Sequence, residues 1–148
     1  LLPVFLRYYG EGLAVESALF DGVDALLGGL DARGIRWGIV TNKPEGLARG
    51  VVEGFGWQAR CAVLVGGDTL PTRKPDPGTL LHACAALGIA AGEALYVGDD
   101  LRDVQAARAA GMPCVAALWG YREDGDDPHR WEAEHVAAHA SDVLALLP

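Results

Sequence analysis

The sequence predicts an α/β fold of three layers, a parallel sheet with helices on both faces. Short apolar runs of strand length recur along the chain without polar–apolar alternation, the pattern of strands covered on both sides. Between them lie longer stretches with helical punctuation, and strand–helix–strand repetition builds right-handed βαβ units. The 148 residues, 51% hydrophobic and 22% charged, fit one domain able to bury most of its apolar surface.

In chain order, residues 22–33 (GVDALLGGLDAR) read as a helix that Gly34 ends, and 36–41 (RWGIVT) as a buried strand. Pro44 opens a helix over 44–54, since a proline in the first turn gives up no needed N–H, and Gly56 follows it. A strand at 62–66 (AVLVG), a helix at 76–88 and a strand at 94–98 (ALYVG) come next. The Ala-rich helix 101–110, closed by Gly111, and a strand at 114–118 (CVAAL) complete the alternation. Residues 123–128 (EDGDDP) are a polar loop that lacks the glycine and glutamate offsets of a calcium loop.

Composition excludes several functions. The net charge is −8 and the pI about 4.8, with no basic patch interleaved with aromatics, so neither nucleic acid nor an anionic membrane is an expected partner. No apolar stretch approaches the roughly 18 residues of a membrane span, and LLPVFLRYYG has no basic n-region of a signal peptide. Three scattered cysteines (Cys61, Cys84, Cys114) without a CxxC pair suggest reduced thiols and a cytoplasmic protein; separately, a monomer or homodimer is the expected state. His82, His129, His135 and His139 share no metal-ligand spacing with a carboxylate. Trp37 and Trp57 read as packing residues.

The polar residues gather at one edge. Thr41-Asn42, Gly67-Asp68, Asp99 and Trp119-Gly120-Tyr121 each follow a predicted strand, and carboxyl ends of parallel strands are where open α/β sheets build sites. Singly, each has a plain structural reading: a Thr-Asn turn, an Asp helix cap, a solvated lysine at Lys74 between arginine and proline, aromatics in packing. Their convergence favours a site. VGDDLRD places Asp99, Asp100 and Asp103 within five positions, and such carboxylates resist ionising together unless a cation lies among them. Asp99 and Asp103 stand one helical turn apart and face one point. Two hard oxygen donors without a neighbouring His or Cys suit Mg²⁺, which takes few protein ligands, and not zinc. Thr41, Asn42 and Lys74 supply donors for phosphoryl oxygens, so the edge has the parts of a phosphoryl-transfer clamp.

IVTNKP, RKPDP and YVGDDLRDVQAARAAGM, in that order, resemble the second, third and fourth motifs of the haloacid dehalogenase superfamily. The resemblance runs from about Phe20 to the C-terminus. DGVDALLGGLDARG and the WGY after the last strand resemble phosphoglycolate phosphatase-like enzymes, and WGIVTNKP with VGDDLRD resembles N-acetylmuramic acid 6-phosphate phosphatases.

The resemblance implies a Rossmann-like core and a magnesium-dependent phosphatase acting on a small phosphorylated metabolite through a phosphoaspartyl intermediate. It implies that Thr41 and Asn42 bind the transferring phosphoryl group and that Lys74 pairs with it and with the nucleophilic carboxylate. Asp99 would bind Mg²⁺ directly, with Asp103 in or just outside the first shell and Asp100 supporting the metal site or capping a helix. The family's first motif, DxDGT, occurs nowhere in residues 1–148, and FDGV at 20–23 lacks the buried strand that should precede it. The expectation is therefore that residues 1–18 are the remnant of a helical cap and 19–148 the core. The family's central strand would be missing, and roughly 70–80 further N-terminal residues would complete a core-plus-cap of usual domain size. Within the superfamily a phosphosugar mutase is an alternative, while a metal-free dehalogenase is disfavoured by the Asp99/Asp103 pair. Outside enzymes, the alternative is a non-catalytic metal- or phosphate-binding protein.

Overall fold

The computed structural model describes residues 4–6, 17–72, 74–118 and 127–147. The described residues form six strands, β1 (Val4–Leu6), β2 (Trp37–Val40), β3 (Cys61–Val65), β4 (Leu95–Gly98), β5 (Cys114–Ala117) and β6 (His135–Ala137). The α-helices are α1 (Ser17–Ala32), α2 (Glu45–Gly54), α3 (Gly78–Leu87), α4 (Leu101–Ala110) and the short α5 (Ser141–Leu144). The strands form one parallel sheet in the order β3-β2-β1-β4-β5-β6. The chain thus winds outward from β1 in one direction through β2 and β3, and in the other through β4, β5 and β6.

Strands β2 to β5 and helices α2 to α4 lie within two residues of the expected limits at each end; α1 begins five residues earlier than expected. FDGV falls inside α1. Successive side chains point to opposite faces of a strand, and the core divides accordingly. Trp37, Ile39, Leu95 and Val97 face Leu26, Leu27 and Leu30 of α1, Val52 of α2 and Val143 of α5. Phe5, Val40 and Tyr96 face Leu80 and Ala83 of α3 and Val104 and Ala107 of α4. Trp37 and Trp57 are buried and meet edge to face with centroids 5.9 Å apart, as packing residues should. Gly88 and Gly111 adopt φ of 69° and 76° at the C-caps of α3 and α4, a left-handed turn that glycine enters without a Cβ penalty.

The N-terminus differs from the sequence expectation. Val4–Leu6 is a strand and not part of a helical remnant, and it stands at the centre of the sheet, where a strand was expected to be missing. Val4 lies opposite Trp37 on one side and Leu95 on the other. The physical reason is the one that makes a central gap costly: facing backbone groups of β2 and β4 would be buried unpaired. VFL supplies both ladders, and Val4 and Phe5 are fully buried on opposite faces. The rest of the cap expectation, at 1–3 and 7–16, lies outside the described residues.

Candidate active site

The sheet order reverses on either side of β1, and open α/β sheets place their sites at the carboxyl ends beside such a switch point. The loops after β2 and β4 flank it, and they carry Thr41-Asn42 and Asp99-Asp100. Lys74 reaches the same point from the segment between β3 and α3, across a cis Lys74–Pro75 peptide.

Lys74 is buried, with a fully inaccessible side chain, although it is a lysine. Its ammonium is stabilised by a set of acceptors: Nζ donates to Asp103 Oδ1 at 2.5 Å, to Val40 O at 3.2 Å and to the Tyr96 hydroxyl. Asp103 is equally buried, and its second oxygen accepts the backbone N–H groups of Asp99 and Asp100, both at 3.1 Å. A buried ion pair is tolerable only when its remaining hydrogen-bonding capacity is met, as it is here. The pair ties the Lys74 segment to the start of α4 and to the end of β4.

The other expected site residues lie at the same edge. Thr41 is buried; its N–H donates to Val65 O at 2.9 Å and its hydroxyl oxygen accepts from Lys43 N at 3.2 Å. Asn42 turns its carboxamide onto the backbone of Lys74: Nδ2 donates to Lys74 O at 3.3 Å, and Oδ1 accepts from Lys74 N at 3.2 Å. This residue clasps the lysine segment. Asp99 is 7% exposed at the end of β4. Asp100 caps α4, accepting from Arg102 N at 2.9 Å, and its carboxylate also pairs with the Arg102 guanidinium. Asp103 completes the capping box, so the carboxylate at the third helical position serves both helix and lysine.

Two further acids near this edge have structural partners. Asp68 accepts Glu45 N at 2.7 Å and so caps α2 from another loop, compensating a Pro44 N-cap that offers no side-chain acceptor. Asp76 accepts Gly78 N at 2.8 Å at the start of α3. The four histidines are exposed, and among the described residues there is no group of three or more His, Cys, Asp or Glu able to hold a metal. Cys114 is a neutral buried thiol: burial foremost, then the carboxylates of Asp103 and Glu134, pushes its pKa up. Trp119, Gly120 and Tyr121 lie outside the described residues. One participant was not read as functional in the sequence: Tyr96, whose ring belongs to the α3/α4 side of the core and whose hydroxyl lies within the lysine–aspartate pair.

Gly98 explains how closely the pair approaches the sheet. A Cβ built there would lie 2.4 Å from Asp103 Cβ and 2.7 Å from its Cγ and Oδ2. Gly98→Ala is therefore expected to push Asp103 off its amide and lysine partners and to destabilise the fold by about 1–3 kcal/mol, the cost of overpacking. Thermal unfolding of the variant checks this.

A buried lysine–carboxylate pair thus lies beside the sheet switch point, with a second carboxylate at the end of β4. The haloacid dehalogenase-like hydrolase model matches residues 1–117, and the chain belongs to that family. It is 57% identical over 134 residues to a phosphoglycolate phosphatase of Xanthomonas campestris pv. campestris, an alignment covering 90% of this chain and 61% of that protein. To the N-acetylmuramic acid 6-phosphate phosphatase of Pseudomonas aeruginosa it is 39% identical over 143 residues, 97% of this chain and 63% of the relative. The crystal structure of a predicted phosphoglycolate phosphatase from Haemophilus somnus superposes with a TM-score of 0.79 at 28% identity, over 84% of this chain and 55% of that one. The chain thus spans about three fifths of the length of the curated relatives it matches. Among the described residues no helix is long and apolar enough to cross a membrane.

Proposed function

We propose that this chain carries the phosphoryl-binding and metal-binding half of a magnesium-dependent phosphatase acting on a small phosphomonoester of the phosphoglycolate type. The observation that carries the reading is the buried Lys74–Asp103 pair, 2.5 Å apart, set between the loops of Thr41 and Asp99. Burying a lysine is expensive, and a site that must hold a cation against transferring phosphoryl oxygens gives it a use. Thr41 and Lys74 are the catalytic donors, with Asn42 holding Lys74 in place and available to the phosphate from the same loop.

The donors at the end of β4 fit Mg²⁺. Asp99 is a hard carboxylate oxygen ligand, VGDDLRD brings no His or Cys beside it in sequence, and Mg²⁺ needs only one or two carboxylates besides water and phosphate. Asp99 would hold the ion, and Asp103 would support it from outside direct coordination, since both of its oxygens are engaged by Lys74, Tyr96 and two amides. The ion would neutralise charge on the phosphoryl oxygens. Asp99→Asn is expected to abolish turnover and to weaken Mg²⁺ binding sharply in calorimetric titration, with Asp103→Asn weakening binding less. Full activity of Asp99→Asn, or of the enzyme in excess EDTA, would overturn the assignment.

The chemistry we assign is phosphoryl transfer to an aspartate carboxylate followed by hydrolysis of the acyl phosphate by water. No DxDGT stands in residues 1–148, and RYYGEG follows the central strand in sequence. These 148 residues assayed alone are therefore expected to release no phosphate above background, because a clamp without a nucleophile leaves only a residual rate. Robust magnesium-dependent turnover by a protein of 15.5 kDa intact mass would refute this.

The Pseudomonas relative favours a second substrate, N-acetylmuramic acid 6-phosphate. Phosphate release from phosphoglycolate, N-acetylmuramic acid 6-phosphate and p-nitrophenyl phosphate, measured side by side on the protein that carries this chain, decides between them. Conversion of a phosphosugar without phosphate release would indicate a mutase. Failure to turn over any of the three would favour the non-catalytic reading.

A further inference from the structure

Tyr96 sits on β4 with its side chain wholly buried among α3 and α4 residues, where an apolar side chain would pack as well. Its hydroxyl nevertheless meets three polar groups of the site: it donates to Val40 O at 2.8 Å, lies 3.2 Å from Asp103 Oδ1, and accepts from Lys74 Nζ. Val40 O in turn accepts from both Lys74 and Tyr96. The hydroxyl therefore joins the end of β2, the start of α4 and the Lys74 segment.

We infer that Tyr96 is a positioning residue: its hydroxyl fixes the direction in which Lys74 presents its ammonium to the phosphoryl group. The inference rests on the phosphatase reading given above. The geometry supports it in two ways. A lysine has four rotatable side-chain bonds, and the Asp103 carboxylate alone fixes a distance, not a direction. Three acceptors, one on each of three separate elements, fix a point. The hydroxyl is also the only polar atom of an otherwise hydrocarbon side chain, so it can be removed with the ring left in place.

The test is a double-mutant cycle with p-nitrophenyl phosphate on the protein that carries this chain. Tyr96→Phe is expected to lower kcat about tenfold, the scale of one hydrogen bond to a charged group, with KM within twofold of the parent. Introduced into Lys74→Ala, the same change is expected to cost nothing further, because its effect passes through the lysine. An equal loss in both backgrounds marks a general packing role and overturns the proposal, as does an unchanged kcat in Tyr96→Phe alone. Wild-type kcat in Lys74→Ala is a separate outcome: it removes the catalytic role of the lysine itself, and the proposal with it. Should Tyr96→Phe fail to fold, NMR of the unaltered protein decides. A slowly exchanging Tyr96 hydroxyl proton with a cross-peak to the Lys74 ε-methylene supports the contact, and its absence overturns it.

Discussion

Replacing Lys74 with alanine in the protein that carries this chain is expected to lower kcat by about two to three orders of magnitude, the effect of removing one preorganised charge from a transition state. KM should change far less. Asp103, Val40 O and Tyr96 hold the ammonium before any ligand arrives, so its charge is already in place when charge develops on the phosphoryl oxygens. Lys74→Arg should recover little of the loss. A planar guanidinium cannot reproduce three contacts that converge on one tetrahedral nitrogen of a side chain with no accessible surface. Steady-state kinetics on both variants, with thermal unfolding to confirm that each is folded, test the assignment. A rise in KM at constant kcat would make the lysine a binding residue only.

That lysine was found in the sequence through its place, not its type. RKPDP has no hydrophobic periodicity, and its meaning came from the loop it occupies beside the converging strand ends and from its resemblance to the family's third motif. Strands β2 to β5 were legible because parallel strands covered on both faces are unbroken apolar runs. β6 was not, since His135–Ala137 is three residues long at the sheet edge with two of them exposed. β1 was hidden for a different reason. VFL is too short to carry a period, and its pairing with β2 and β4 is a tertiary outcome. Within the site, Thr41, Asn42 and Asp99 were legible as polar residues just past strand ends, and Asp103 by its spacing of one helical turn from Asp99. The use of Asn42 on the Lys74 backbone and of Asp68 on α2 was not, because both join segments more than twenty residues apart. Tyr96 read as core, which its ring is; a tyrosine three positions before a strand-end aspartate carries no mark of where its hydroxyl goes.

Asp103→Ala is expected to be the most destabilising single change at the site, by about 3–5 kcal/mol, the range for removing one member of a buried ion pair. The deletion does three things at once. It leaves the Lys74 ammonium inside the protein without its counter-charge, it strips the acceptor from the Asp99 and Asp100 amides, and it breaks the capping box of α4. The ammonium, left with no access to water, is expected to account for the larger part, while each amide loses a charge-assisted bond of about 1.5–3 kcal/mol. The distinguishing variant is therefore the double one. Lys74→Met together with Asp103→Leu removes both charges and fills the volume with hydrocarbon, and it should recover most of the stability lost in Asp103→Ala while remaining inactive. Urea unfolding of the parent, the single variant and the double variant measures this directly. If the double variant is no more stable than Asp103→Ala, the loss belongs to the amides and the helix cap, and the stranded lysine charge is not its cause.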